Sequence, residues 1–257
     1  MTIRAVTLGW VGLVAAVACA CSSPPSTHPI SVSTQPATHV ASSTAVSAPT
    51  SVPTSAASPV TPASASQLTG IVLKSSDLPA GWTGAPFQGN PHIDAINAAF
   101  DKCLGIRDPR PDQVADVHSQ SFSMGRATID SEATSYRFAS DITLQGVAVS
   151  KPNYASCEET AWRVALATEL PAGETIGGIT ATVTQGPGGG PANVIGSVAE
   201  TLIIMKSGVG VPIYVRGVFA VGPLVVALVN YTGVEQPVPA DLQAKLLNLV
   251  ATRAARG

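Results

Sequence analysis

The chain has 257 residues, of which 45% are hydrophobic and only 12% charged. Charge is distributed unevenly: before Lys74 the only charged side chain is Arg4, and the rest of the chain carries 13 basic against 16 acidic residues. That part is mildly acidic and has no basic run, which excludes the electrostatic footprint of a nucleic-acid binder. The length admits one large domain or two small ones.

The first element is an export signal. Arg4 supplies a positive start, an uncharged apolar run extends from Ala5 to Ala18, and Val17-Ala18-Cys19-Ala20-Cys21 follows. The layout is that of a signal peptide, and the run is shorter than the ~20 residues a spanning helix needs. Its end resembles a bacterial lipobox, in which small and apolar residues precede a cysteine. Two registers fit, with Cys21 or Cys19 as the lipidated residue. Cys21 is preferred because Ser22-Ser23 and a polar tract follow directly. The resemblance implies a diacylglycerol thioether on that cysteine and anchoring by two or three acyl chains, which is stable where one chain is marginal. The competing reading is an ordinary secretory signal cut at an Ala-x-Ala-like site. The segments are thus 1–20 as signal peptide, 21–67 as tether and 68–257 as exported domain.

Residues 22–67 contain 36 serine, threonine, proline and alanine residues out of 46, with no aromatic and no charge. Such a segment buries too little apolar surface to offset its ordering entropy, so a disordered tether is expected. His28 and His39 fall in it and read as solvated residues. The tether's length lifts the domain away from the membrane, and its composition suits O-glycosylation.

In the domain, Asp77-Leu78-Pro79-Ala80-Gly81-Trp82 reads as a turn leading to a buried tryptophan. Asn90-Pro91 opens a helix with Ile93, Ile96, Phe100, Cys103 and Leu104 at helical spacing, ended by Gly105. Val114 to Phe138 reads as two strands broken near Gly125. Helices follow over about 140–149 and 153–169, the second with Tyr154, Cys157, Ala161, Val164 and Ala165 as its apolar stripe. Ile179–Thr184 alternates with period two. Further strands are expected over Val198–Met205, Val211–Phe219 and Pro223–Tyr231, with a hairpin at Val221-Gly222. A final helix carries Leu242, Leu246, Leu249 and Val250. Asp241 lies near its start and Arg253 and Arg256 near its end, as the helix dipole favours. The sum is an α+β fold: a mostly antiparallel sheet, with a C-terminal strand meander, packed with three to four helices on one side in a single domain.

Cys103 and Cys157 are the cysteines left in the exported domain. In an oxidising compartment a disulfide is expected; two free thiols or a reactive pair are the alternatives. The spacing is not the Cys-x-x-Cys unit of redox catalysts.

The search for chemistry yields no catalytic constellation and no cofactor motif. Gly186-Pro187-Gly188-Gly189-Gly190-Pro191 lacks the lysine and hydroxyl of a phosphate loop, and no serine sits in a nucleophile elbow. His92 and His118 have no partner at ligand spacing, so no metal site is expected. Glu158-Glu159 reads as a solvated first turn of its helix. Asp108, Asp112 and Asp116 are spaced by four but lack the glycine and terminal glutamate of a calcium loop.

At Leu78-Pro79-Ala80-Gly81-Trp82, Cys103-Leu104-Gly105 and the Cys157 helix, the chain resembles a group of uncharacterised actinobacterial, especially mycobacterial, cell-envelope lipoproteins. Its layout over roughly residues 68–255 is also similar to the extracellular sensor domain of mycobacterial membrane serine/threonine kinases of the PknH type. Those domains carry two disulfides, where the cysteines here allow one. The resemblance implies a lipid-anchored protein on the outer face of the membrane, with its domain in the periplasm or cell wall. Its activity would be non-catalytic binding or sensing of a lipid or small molecule. An envelope scaffold binding a protein or cell-wall partner is the second reading, and a hydrolase with unfamiliar residues the third.

Overall fold

The computed structural model describes residues 61–89 and 93–256. The segment read from the sequence as a leader, with Cys19 and Cys21, the segment read as a tether as far as Val60, and the expected helix start at Asn90-Pro91-His92 lie outside the described residues. The folded part includes residues 61–67, which composition assigned to the tether. Ala63 and Leu68 are buried, and a one-turn helix α1 (Ala65–Leu68) starts at Ser64, whose N–H donates to Gln67 Oε1 at 2.9 Å. The apolar run Ile71-Val72-Leu73 then enters the core.

The remaining elements are β1 (Thr83–Ala85), α2 (Ile93–Leu104), β2 (Gln113–His118), β3 (Ser121–Met124), β4 (Ala127–Tyr136), α3 (Ala139–Ser150), α4 (Tyr154–Glu169), β5 (Glu174–Gln185), β6 (Val194–Lys206), β7 (Val209–Val221), β8 (Val225–Val234) and α5 (Ala240–Ala254). They form an α+β domain around one 8-stranded antiparallel sheet of order β1-β3-β4-β8-β7-β6-β5, with β2 also pairing β4. The meander β5–β8 follows the sequence expectation; β5 and β6 begin five and four residues before their predicted starts, β7 runs two residues further at each end, and β8 begins two residues later and ends three later. The segment expected to hold two strands holds three. Gly125, at φ +60°, turns β3 into β4, and a second break falls at Ser119-Gln120. Ser119 stays tied to β4 there, its Oγ accepting from the Ser131 N–H at 2.9 Å.

Helices cover both faces of the sheet rather than one. Strand side chains alternate in direction. Odd positions of β4 and β8 (Ile129, Ala133, Val225, Ala227, Val229, Tyr231) bury against α5 through Leu242, Leu246 and Val250. Even positions Tyr136, Val226 and Leu228 bury against α2–α4 through Ile96, Phe100, Tyr154 and Cys157. Because β8 is apolar on both faces, it must be covered twice, as a central strand is. The alternation sought in the sequence therefore could not show which side the helices take.

Cys103 and Cys157 are joined, with Cα atoms 5.3 Å apart, and the bond ties α2 to α4. Cys157 is fully buried; Cys103 lies at the exposed edge of α2 rather than on its apolar stripe. On α4, Val164 is exposed, and the buried stripe runs instead through Tyr154, Cys157, Glu158, Ala161, Trp162 and Ala165. At the opposite face Arg253 of α5 grips Asp77 with two hydrogen bonds, 2.8 and 2.9 Å. No helix among the described residues is long and apolar enough to cross a membrane.

Candidate functional site

Two groups of titratable residues lie on the helix-α2–α4 face of the sheet. The first is built by cross-strand register. Asp116 and His118 are two apart on β2 and so point the same way. On β4 their direct partners are Thr134 and Glu132, and Asp130 follows two residues along, opposite Asn230 of β8. Nearest atoms of Asp116, His118 and Glu132 all lie within 4.8 Å of one another. His118 Nε2 is 2.9 Å from Asp116 Oδ2, and its Nδ1 is 4.0 Å from Glu132 Oε2. The Thr134 hydroxyl sits between the two carboxylates, 3.1 Å from Asp116 Oδ1 and 3.0 Å from Glu132 Oε1. A hydroxyl has one proton to give, so it serves one of them at a time. Oε2 of Glu132 is buried and receives no hydrogen bond. Phe87, from the segment after β1, stacks on the imidazole with centroids 4.3 Å apart and planes 6° from parallel, fixing the ring's orientation.

The charges here are unbalanced. Burial raises Glu132 to about 7, and the nearby Asp116 adds to the rise. Burial likewise raises Asp130 to about 6 despite the hydrogen bond from Asn230. For His118 burial works against the proton, but Asp116 and Glu132 prevail and its pKa is raised. Among the described residues, the leading influences on these three are each other, Asp116, Thr134 and Asn230, none of them a lysine or arginine.

The second group is Glu158 of α4 and Glu200 of β6. Register places Glu200 opposite Val215, on the face shared by Gly217 and Asn230, and Glu158 descends on it from α4. Both acids are buried, at 0% and 4% exposure. Burial raises both well above the ordinary carboxylate range, and their mutual repulsion raises Glu158 further. Tyr154, one turn before Glu158, presents its hydroxyl to it, and Trp162, one turn after, faces Glu200; both offset the rise only in part. Burial thus favours the neutral acids over the carboxylates at this interface.

This corrects the reading of Glu158-Glu159 as a solvated first turn. Only Glu159 faces out, pairing with Arg163. The Asp108, Asp112, Asp116 series is dispersed. Asp108 binds Arg110 through Nε and Nη2 at 2.8 and 2.7 Å, Asp112 binds Arg107 at 2.9 Å, and only Asp116 joins the histidine. His118 does have partners at ligand distance, contrary to the sequence expectation: one was visible two residues away, and the other came from a different strand. The glycine-rich stretch at 186–191 is the β5–β6 connection.

No family model and no curated protein matches the chain. A search of solved structures returns the extracellular domain of PknH from Mycobacterium tuberculosis at 10% identity and a TM-score of 0.41, covering 77% of this chain and 99% of that one.

Proposed function

We propose that this chain is an exported, lipid-anchored envelope protein whose domain binds or senses a ligand without turning it over. The observation that carries the binding part is His118, stacked under Phe87 and set among three carboxylates, with no lysine or arginine of the described residues among the leading influences on them. Such a cluster is an acceptor for a cationic group: it gathers three carboxyl groups on one sheet face and has a partly exposed entrance at Asp116. A hydrolytic role fits it less well, because the one neighbouring hydroxyl, that of Thr134, is engaged by the two carboxylates. Export is supported by the Cys103–Cys157 bond, a feature of oxidising compartments, and by the signal-like start and lipobox-like Cys21. The test is native mass spectrometry of the full chain recovered from envelope membranes. A reproducible added mass that restores thermal stability when returned supports the reading, and bare protein counts against it. Detergent-phase partitioning of Cys21→Ala and Cys19→Ala checks the anchor; unchanged partitioning in both sinks the lipid assignment.

One observation favours the scaffold reading as second. β5 ends the sheet order and displays Thr175, Thr180, Thr182 and Thr184 as exposed residues along a 12-residue edge strand. An edge of that length is a template for strand addition by a partner. Crosslinks from β5 to one fixed envelope protein would favour it.

A further inference from the structure

The same histidine cluster carries a narrower assignment, which rests on the binding reading above. Three side chains of different type converge from two paired strands, with one nitrogen and two carboxylate oxygens within 4.8 Å of one another. The ligand atoms of a tetrahedral zinc, bonded at about 2.0–2.1 Å, stand about 3.3 Å apart. Asp116 approaches His118 at Nε2 (2.9 Å) and Glu132 approaches it at Nδ1 (4.0 Å); with one atom taken from each residue the set lies within 4.8 Å, so closing it around a single nitrogen needs side-chain adjustments of up to about 1.5 Å. The β2–β4 register fixes where both strands present these side chains, and Phe87 locks the imidazole plane, which removes much of the ordering a binding site otherwise requires.

Two further features point to an ion. The buried Oε2 of Glu132 faces the histidine and has no donor, a position that normally demands an explanation. The Thr134 hydroxyl lies against the oxygens of both carboxylates, the outer-shell contact that orients ligating carboxylates in metal sites. Asp116 is 37% exposed, so the site opens to solvent on one side and leaves a coordination position for water or an incoming group.

We propose that Asp116, His118 and Glu132 bind one divalent transition-metal ion of the zinc class, through one imidazole nitrogen and one oxygen from each carboxylate. The ligand set of one imidazole and two carboxylates suits borderline ions and disfavours the soft, thiolate-seeking ones. The open position makes the ion exchangeable, so the domain would report metal availability outside the membrane or present the ion to a second ligand.

The experiment uses the untagged full chain in detergent, disulfide intact, carrying His28→Ala, His39→Ala and His92→Ala so that His118 is the remaining histidine. Zinc is titrated against a chromophoric chelator, and melting is followed with and without zinc. One equivalent should bind, and zinc at a hundredfold over its Kd should raise Tm by roughly 5–10 °C. Glu132→Gln and Asp116→Asn should each weaken binding at least tenfold; Asp116 is exposed, so its variant keeps the fold even if Glu132→Gln does not. No saturable binding in the parent, or undiminished binding in both variants, overturns the assignment. An organic mass on the envelope-derived protein without zinc binding would overturn it while leaving the binding reading intact; absence of both removes the two together.

Discussion

Replacing the buried acids of the α4 interface, with Glu158→Gln and Glu200→Gln together, should change how stability depends on pH. Both carboxyls are raised well above their ordinary 4.5 by burial, while in the unfolded chain they titrate near that value. Folding therefore takes up protons at any pH between the unfolded and the raised folded values. A group with a raised folded pKa contributes stability that is complete below the unfolded pKa and is lost as pH climbs through the folded one. While a buried acid keeps its proton and its unfolded counterpart does not, stability falls by about 1.4 kcal/mol per pH unit for each such proton. From pH 6 to 8 one retained proton costs about 2.7 kcal/mol, a large share of the ~5–15 kcal/mol a domain has. Asp101, Asp130, Glu132 and His118 are raised too and add slope of the same sign. The informative quantity is thus the difference between the parent and the double variant. Urea unfolding at pH 5, 6, 7 and 8 should show the parent weakening with pH and the variant weakening less, by up to about 1.4 kcal/mol per unit for each acid replaced. Parallel curves would refute the argument, since they would mean that both acids titrate alike folded and unfolded.

Reducing the Cys103–Cys157 bond releases a 54-residue separation, worth about 4 kcal/mol in the chain-entropy account. Calorimetry should record a Tm fall of roughly 8–16 °C, and a change of under 2 °C would contradict that account. Asp77→Asn removes the carboxylate gripped by Arg253. Burial alone would raise Asp77, but Arg253 and the Lys74 N–H hold it below its usual value, so its contribution is present near neutrality and lost as pH falls through the lowered pKa. The variant should lose about 1–3 kcal/mol at pH 7 and show a flatter acid limb in chemical denaturation. Gly222→Ala places a Cβ 2.1 Å from the carbonyl oxygen of Ala254. Forcing the β7–β8 turn off the end of α5 should cost roughly 1–3 kcal/mol, read as a lowered urea midpoint, and a neutral result would show that the turn has room to shift.

Local patterns carried the sequence reading a long way. The meander, the helices from Ala139 and Tyr154 and the closing helix all follow from periodicities of two or 3.6 confined to short windows. Ser119-Gln120 escaped because nothing in its own residues marks a break; the break is imposed by the edge of β4, which must accommodate β2 and β3 end to end. Glu158 was misread for a different reason. It stands beside Glu159, and two adjacent acids suggest water, yet 100° of rotation separates neighbours on a helix. Tyr154 and Trp162, four residues to either side, were the signal that Glu158 shares their buried stripe. For the histidine cluster, Asp116 was within reach of a period-two argument. Glu132 was not, because its place opposite His118 is set by a register that depends on the Gly125 turn and the Ser119 kink together.

The clasp of Arg253 on Asp77 has a mechanical consequence. Ser135 of β4 donates to the carbonyl of Ala63 at 2.8 Å, and Arg253 donates to the carbonyl of Val72 at 3.2 Å, so the first of the described residues are stitched both to a central strand and to the final helix. A pull arriving from upstream of Thr61 would meet these contacts first, and would load them by peeling, one after another. The Cys103–Cys157 staple lies on the far side of the sheet and would not feel it until they had parted. The side of the domain held by a covalent bond is thus shielded from tension by the side held only by hydrogen bonds and apolar contact.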